Sequence, residues 1–233
     1  MSRILLRSLA LAVCLLFVAL GRWQWARALE KEALLAAQAQ ALAEPVPLPL
    51  ARALADGDGG LRWVEGEGVF VDAPAILLDN QQRGGRVGVK AYRLFRPLDG
   101  DHEVLVDLGW LPLPPDRALP AIARPEGVQR VRGLLAPPPA IGLRLATAGV
   151  QADGTRLLLY LDTTELANEL QRPLATRVLR LDPALPLGYA RDLDLLPNTL
   201  PPEKHRGYAL QWWGLAAAVA VIALLLGVRR RKA

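Results

Sequence analysis

Residue types that serve as nucleophiles or metal ligands are scarce in this chain of 233 residues. Cys14 is its one cysteine, and Ser2 and Ser8 are its only serines. Beyond residue 14 there can be no serine or cysteine nucleophile and no internal disulfide. With His102 and His205 as the only histidines, a histidine-based zinc or copper cluster is implausible. A hydrolase that uses a pair of carboxylates is left open, but a non-enzymatic protein is the favoured class.

Charged residues are almost absent from two apolar segments, one near each end of the chain. The segment 8–25 ends in two tryptophans and is predicted to be the first transmembrane helix, which leaves 1–7 as a cytoplasmic N-terminus. The segment 207–228 holds no charged residue and is predicted to be the second transmembrane helix, in contact with membrane lipid like the first. It is followed by a basic cytoplasmic tail, 229–233.

The distribution of charge predicts the orientation of these spans. Six of the 28 Lys and Arg lie in the two tails, which leaves 22 between Arg22 and Arg206, against all 23 Asp and Glu. Because basic tails stay on the cytoplasmic side, both termini are predicted to be cytoplasmic and the region between the spans extracytoplasmic. The pI of about 9.8 therefore reflects the tails, and no nucleic-acid partner is predicted.

The chain beyond the first span is predicted to continue as a helix. From Ile4 to Ala43 there are forty residues, about 60 Å of helix, which is twice a ~30 Å hydrocarbon core. The segment 26–43 is thus predicted to project outward. Ala19-Leu20-Gly21 has the form of a cleavage site, so a cleaved signal peptide is the alternative. No Arg- and Ser-rich presequence precedes the span, which favours a bacterial plasma (inner) membrane with the main domain in the periplasm.

Strand-like segments fill the predicted extracytoplasmic domain, 44–206. Several alternate apolar with polar residues, and Gly, Pro, Asn or Asp bounds each one. The predicted strands are 62–71, 75–80, 87–95, 103–111, 128–136 and 156–162, with further short strands at 175–181 and 187–191. An extended linker is predicted for 44–50, a Pro-rich excursion for 112–127 and a helix for 163–171. The expected fold is an α+β membrane protein, in which two transmembrane helices flank one antiparallel, partly closed, β-rich domain.

A dense group of polar and aromatic residues marks the outward ends of the two predicted spans. It consists of Trp23, Gln24 and Arg27 on the first helix, and His205, Tyr208, Gln211 and Trp212 on the second. On a helix, His205, Tyr208, Ala209 and Trp212 form one stripe, because they are spaced i, i+3, i+4 and i+7.

Three interpretations of this group are open. The aromatic and cationic residues suit an interfacial belt at the lipid headgroups. The amides of Gln24 and Gln211 would also suit a hydrogen bond across the helix pair. An imidazole beside aromatic faces and cations suits a haem, with His205 as the iron ligand and Arg or Lys for the propionates.

Motifs at both ends and in the middle of the chain are similar to those of a known family. The end motifs are Gly21-x-Trp23-Gln24-x-x-Arg27-x-x-x-Lys31-x-x-Leu34 and His205-x-x-Tyr208-Ala209-x-Gln211-Trp212. The central motifs include Leu78-Asp79-Asn80, Gly109-Trp110 and Asp116-Arg117. Over nearly its whole length, including the two spans, the chain resembles the Surfeit locus protein family.

The resemblance implies a role in the assembly of haem-copper cytochrome c oxidase, at the stage when haem a enters subunit I. Subunit I is then the expected partner, with haem A synthase as a second one. Some bacterial members are held to bind haem a, which implies His205 as the candidate iron ligand. The other residues predicted to bind the cofactor, from their place at the outward ends of the two spans, are Tyr208, Gln211, Trp212, Trp23, Gln24 and Arg27. A docking scaffold that binds no haem is the alternative.

Two departures from the family pattern concern fine detail. Asp107-Leu108 stands where the family usually has Asn-Arg. Gln81 stands where the family often has an arginine directly after the asparagine at position 80. If that arginine contacts a propionate or the client subunit, Arg83 or Arg86 is expected to replace it.

Overall fold

The structure is a computed structural model that describes residues 3–43, 46–57, 60–139, 149–196 and 199–229. The first two residues of the predicted linker and most of the predicted basic tail lie outside these ranges. The chain divides into two compact units. We call Met1–Ala36 with Thr199–Ala233 the helix-pair unit, and Ala37–Asn198 the sheet unit.

The helices and strands follow the chain in an order close to that predicted. They are α1 (Arg3–Ala43), β1 (Leu48–Pro49), α2 (Leu50–Ala55), β2 (Arg62–Phe70), β3 (Ile76–Arg83), β4 (Arg86–Pro97), β5 (Glu103–Pro112), β6 (Val128–Ala136), β7 (Gly149–Val150), β8 (Arg156–Leu158), α3 (Thr163–Leu170), β9 (Leu174–Leu181) and α4 (Pro202–Arg229).

Helices α1 and α4 are each long and apolar enough to cross a membrane, judged by length and composition. Helix α1 is one helix of 41 residues, which confirms that helical structure continues through 26–43. Helix α4 begins with Pro202, a residue that suits the first helical position because the N–H it lacks would have no partner there.

The sheet of the sheet unit is mixed, so the prediction of an antiparallel sheet is wrong. Its nine strands lie in the order β1-β2-β6-β9-β5-β4-β3-β8-β7. Three neighbouring pairs are parallel, namely β1 with β2, β3 with β8 and β5 with β9. Strand β2 also pairs with β4 over three residue pairs, a contact that does not make the nine strands a barrel.

Strand β5 contributes to both apolar clusters of the sheet unit. Every residue from Glu103 to Trp110 is buried, as expected for a strand covered on both faces. Val104, Val106 and Leu108 join one apolar cluster, while Leu105 joins a second one. The alternation of side chains along the strand sends its apolar residues into both clusters.

Local signals located most elements of the sheet unit correctly. The hairpin at Gly84-Gly85 joins β3 to β4, and both glycines have positive φ (56° and 75°), as a type I′ turn requires. Residues 113–127 contain no helix or strand, as predicted. Asp162 caps α3 by accepting hydrogen bonds from the backbone N–H groups of Thr164 and Glu165.

Three details differ from the prediction. The predicted extended linker ends in β1, and Leu50 already begins α2, whose apolar residues Leu50, Ala53 and Leu54 pack into the core. Strand β8 covers only three residues of the predicted 156–162. The predicted strand 187–191 is reduced to one isolated bridge, in which Ala190 pairs with Trp110.

Candidate functional site

Helices α1 and α4 contact each other along a seam with the alternating three- and four-residue spacing of packed helices. Cys14 lies against Ala216, and Gln24 lies against His205, so the two helices run in opposite directions. The seam residues, all buried or half-buried, are Cys14, Phe17, Gly21, Gln24, Ala28 and Lys31 on α1, with Pro202, His205, Ala209, Trp212 and Ala216 on α4.

A histidine and a glutamine meet in this seam, and we call them the His205–Gln24 pair. His205 is 7 % exposed, and its Nδ1 lies 2.6 Å from Oε1 of Gln24. An amide oxygen only accepts hydrogen bonds, so Nδ1–H donates and the neutral ring carries its lone pair on Nε2. Nε2 is buried and has no hydrogen-bond partner among the described residues. A buried acceptor of this kind is uncommon and calls for an explanation.

The charges around the ring favour its neutral form. His205 precedes the predicted span 207–228. Burial lowers the pKa of His205, and the positive charges of Lys31 and Arg27 lower it further. At neutral pH the ring is therefore unprotonated at Nε2, which is the state in which an imidazole binds a metal.

Charged contacts between the helices flank the His205–Gln24 pair. Arg206 donates to Glu32 at 2.8 Å, and its guanidinium lies 5.5 Å from the ring centre of Trp25. Lys31 donates to the backbone carbonyl of Leu200, just before α4 begins. These contacts join the ends of the two helices around the buried ring.

Aromatic packing holds the helices together on the other side of the pair. A Cβ atom at Gly21 would overlap the indole of Trp213, so the glycine allows the two helices to approach closely. Trp213 also lies 5.7 Å from Trp25, measured between ring centres. The rings of Phe17 and Trp212 are 5.4 Å apart.

The predicted stripe on α4 is only partly the contact face. His205, Ala209 and Trp212 lie in the seam, but Tyr208 is 41 % exposed. The reason is geometric, since the seam advances from 205 to 209 by four residues and leaves 208 on its flank. Gln211 is exposed as well, so Gln24 bonds to His205 rather than to Gln211.

The predicted site residues on α1 are likewise only partly in the seam. Gln24 lies in the seam, whereas Trp23 is 56 % exposed. Arg27 forms an ion pair with Glu30 of its own helix at 2.6 Å. Sequence reasoning did not single out Glu32 as part of the site, and it assigned Trp213 to the interfacial belt. The available signal was the three- and four-residue spacing of Gly21, Gln24, Ala28 and Lys31.

The chemistry of the His205–Gln24 pair fits that of a haem ligand, but the two helices are closed around the pair. The unpaired lone pair on Nε2 is what an iron ligand needs. Because Nε2 is buried, the helix ends must separate locally before a macrocycle can reach it. In the ranges that the structure describes, no group of three or more His, Cys, Asp or Glu could hold a bare metal ion.

Two buried acids of the sheet unit, Glu103 and Asp107, are engaged in structural contacts. Glu103 accepts from Arg96 and Arg172 at 2.5 and 2.7 Å, and Asp107 accepts from Lys90 at 2.9 Å. The predicted central motifs also meet: Arg117 donates to both carboxylate oxygens of Asp79 at 2.7 Å.

A cavity of about 260 Å³ in the sheet unit carries three acids. The carboxylate of Asp162 caps α3. Glu165 accepts from the hydroxyl of Tyr160 at 2.9 Å, and Glu169 pairs with Arg156 at 2.6 Å. Each of these acids thus has a structural contact within the sheet unit.

Comparison with known proteins identifies a family that the chain matches. Residues 11–217 match a family model described as the SURF1 family, which is most of the chain. No curated protein matches the chain. The matched range contains the His205–Gln24 pair and all the contacts that flank it.

Proposed function

Because the chain belongs to the SURF1 family, whose members are cytochrome c oxidase assembly factors, we propose that it is a membrane-anchored factor that assists haem a delivery to subunit I. Helices α1 and α4 anchor it in a bacterial inner membrane, with both termini in the cytoplasm and the sheet unit in the periplasm. Subunit I is its partner, and haem A synthase is the source of its haem.

The observation that supports haem handling is the unpaired Nε2 of His205. The ring is buried, its other nitrogen is bonded to Gln24, and no protein group occupies the remaining lone pair among the described residues. A structural histidine of the core would normally have both nitrogens bonded. When bound, haem a would supply a redox-active iron, which His205 would hold beside a surface that binds the ring.

Residues near His205 provide the other parts of such a surface. Trp25, Trp212 and Trp213 offer aromatic faces against which a macrocycle packs. The cations Lys204 and Arg206 flank the histidine along the chain and suit carboxylate groups. To reach Nε2, the haem has to replace contacts such as that between Arg206 and Glu32.

The test is a reduced-minus-oxidised visible spectrum of the purified full chain, made in cells with and without haem A synthesis. We expect an a-type band that depends on the synthase and is lost in His205→Ala. His102→Ala is the matched control, since His102 is exposed in a turn of the sheet unit and its loss should leave the band unchanged. A band that survives in His205→Ala would contradict the assignment.

The burial of Nε2 favours a second candidate, a docking scaffold that binds no haem. In that case the His205–Gln24 pair only fixes the two helices against each other. The scaffold predicts no a-type band in any sample, while the folded chain still co-purifies with subunit I. Haem delivery predicts the band together with co-purification, so the two candidates are separated by the spectrum alone.

A further inference from the structure

Gln24 occupies an unusual place for a glutamine. Its Oε1 contacts Nδ1 of His205 on a seam whose neighbouring positions are the small residues Gly21 and Ala28. A polar side chain among packed apolar helices is costly unless it is bonded. The bond to His205 is the only side-chain hydrogen bond of Gln24 within the described residues. The position therefore serves the histidine.

We propose that Gln24 is a positioning residue that holds His205 in the tautomer protonated at Nδ1, so that Nε2 presents its lone pair for a ligand. The inference deepens the proposed function and relies on it for the identity of that ligand as haem iron. Without an acceptor at Nδ1, the proton is free to sit on Nε2, and that nitrogen then cannot bind a metal. A partner of the second ring nitrogen plays this role at many metal sites, where it also raises the basicity of the ligand.

The acceptor for the Nδ1–H of His205 comes from the other helix, so the tautomer depends on how the two helices pack. Gln24 lies on α1 and His205 on α4, so the tautomer is set only when the two helices are packed together. The close approach at Gly21 and Trp213, three residues before Gln24, holds that packing. Separation of the whole helix pair would release the acceptor along with the ligand, whereas a local opening beside Nε2 would keep the acceptor in place.

The tautomer can be measured without any haem. The chain has only two histidines, so in a His102→Gln background nitrogen NMR of labelled histidine reports His205 alone. We expect the full chain in detergent, at alkaline pH, to show protonation at Nδ1. Gln24→Met keeps the length of the side chain but loses the amide oxygen, and it should shift the ring toward protonation at Nε2. Gln24→Glu keeps an acceptor and should retain protonation at Nδ1.

Gln40→Met is the matched control, because Gln40 is an exposed glutamine near the other end of α1. Cross-linking of Cys14 with the thiol introduced in Ala216→Cys shows in each variant that the helices are still packed, since Cys14 Sγ lies 3.4 Å from the backbone oxygen of Ala216. Protonation at Nε2 in the unaltered chain, or an unchanged tautomer in Gln24→Met, would overturn the inference.

Haem affinity separates this inference from the function on which it rests. With haem a added to the purified chain, Gln24→Met should bind about 10–100-fold more weakly, as for other second partners of metal-binding histidines, and Gln24→Glu should restore binding. If the tautomer responds as expected but no variant binds haem, the positioning role stands and the proposed function fails. If haem binds equally to all variants, the function stands and the role of Gln24 fails.

Discussion

Buried polar groups of the sheet unit and of the helix-pair unit differ in whether their polar atoms have hydrogen-bond partners. In the sheet unit Glu103 is 1 % exposed, and arginines hold both of its carboxylate oxygens. In the helix-pair unit His205 is nearly as buried, but one ring nitrogen has no partner among the described residues. Burial without pairing is costly. Under the proposed function, Glu103 serves the fold and His205 serves a ligand.

Other buried atoms without a partner do not weaken this contrast, because they are of a different kind. In the sheet unit they include Nε of Arg93 and of Arg180, but each of these guanidinium groups donates through another nitrogen. The hydroxyl of Tyr92 is also unpaired. Burial raises the pKa of Tyr92, and the nearby charge of Asp107 raises it further, so it remains a neutral hydroxyl. None of these atoms offers a lone pair suited to binding a metal.

The largest effect on stability is expected from Glu103→Ala. The change leaves Arg96 and Arg172 without their common carboxylate, and breaking a buried ion pair costs about 3 kcal/mol or more. Arg96 is half exposed, so water recovers part of that loss. The measurement is urea unfolding of the full chain in detergent, followed by the circular dichroism of the sheet. His205→Ala should change the midpoint much less, and equal losses in both variants would remove the contrast.

A bulky residue at Gly21 is expected to have the next largest effect, this time in the helix-pair unit. In Gly21→Leu the added side chain would overlap Trp213, and overpacking of this kind costs about 1–3 kcal/mol. In an Ala216→Cys background, the yield of the cross-link from Cys14 to the introduced thiol should fall, while sheet unfolding is unchanged. Gly214→Leu is the control, since a Cβ atom there meets nothing. An undiminished yield in Gly21→Leu would contradict close packing at this position.

Asp182 tests whether a paired acid of the sheet unit gives stability its pH dependence. Burial alone would raise the pKa of Asp182, but the N–H of Ala184, the ion pair with Arg132 and the charge of Arg191 outweigh it, and the net shift is downward. A lowered folded pKa stabilises the fold above the unfolded value of about 3.9, and this stabilisation is lost as the pH falls through the folded pKa.

Asp182→Asn should therefore cost about 2 kcal/mol at neutral pH, the value of hydrogen bonds to a charged group. Below pH ~4 the difference from the unaltered chain should shrink. Unfolding in urea at several pH values checks both statements. A constant difference at every pH would mean that the charge of Asp182 does not contribute.

The parts of the fold that depend on local sequence could be predicted. The apolar segments gave both long helices, and turn residues such as Gly84-Gly85 located the hairpins. Strand neighbours could not be derived in this way, because β5 and β9 pair in parallel although residues 113–173 lie between them along the chain. Alternation of side chains reports which faces are buried and says nothing about which strand lies alongside.

Local sequence was also insufficient to predict which residues of the candidate site lie between the two helices. The motif and the spacing placed His205 and Gln24 at one depth, but which residues of each helix face the partner depends on how the two helices cross. In a segment that is apolar all round, periodicity does not mark one face. The seam is marked in the sequence only by small and polar residues such as Gly21, Gln24 and Ala28. The predicted site did not use that signal, so the exposure of Tyr208 and Trp23 was not predicted.

The smallest expected effect comes from an exposed ion pair of the sheet unit, and it sharpens the comparison. Arg130 donates to Glu65 at 3.0 Å, with the arginine largely exposed and the glutamate one-third exposed. Because water screens such pairs, Glu65→Gln should change the free energy of unfolding by less than about 1 kcal/mol. The same urea series that measures Glu103→Ala measures this variant. A cost as large as that of Glu103→Ala would show that an acid's ion pair, rather than its burial, determines how much the acid stabilises the fold. The burial of the unpaired His205 nitrogen would then no longer mark a binding site.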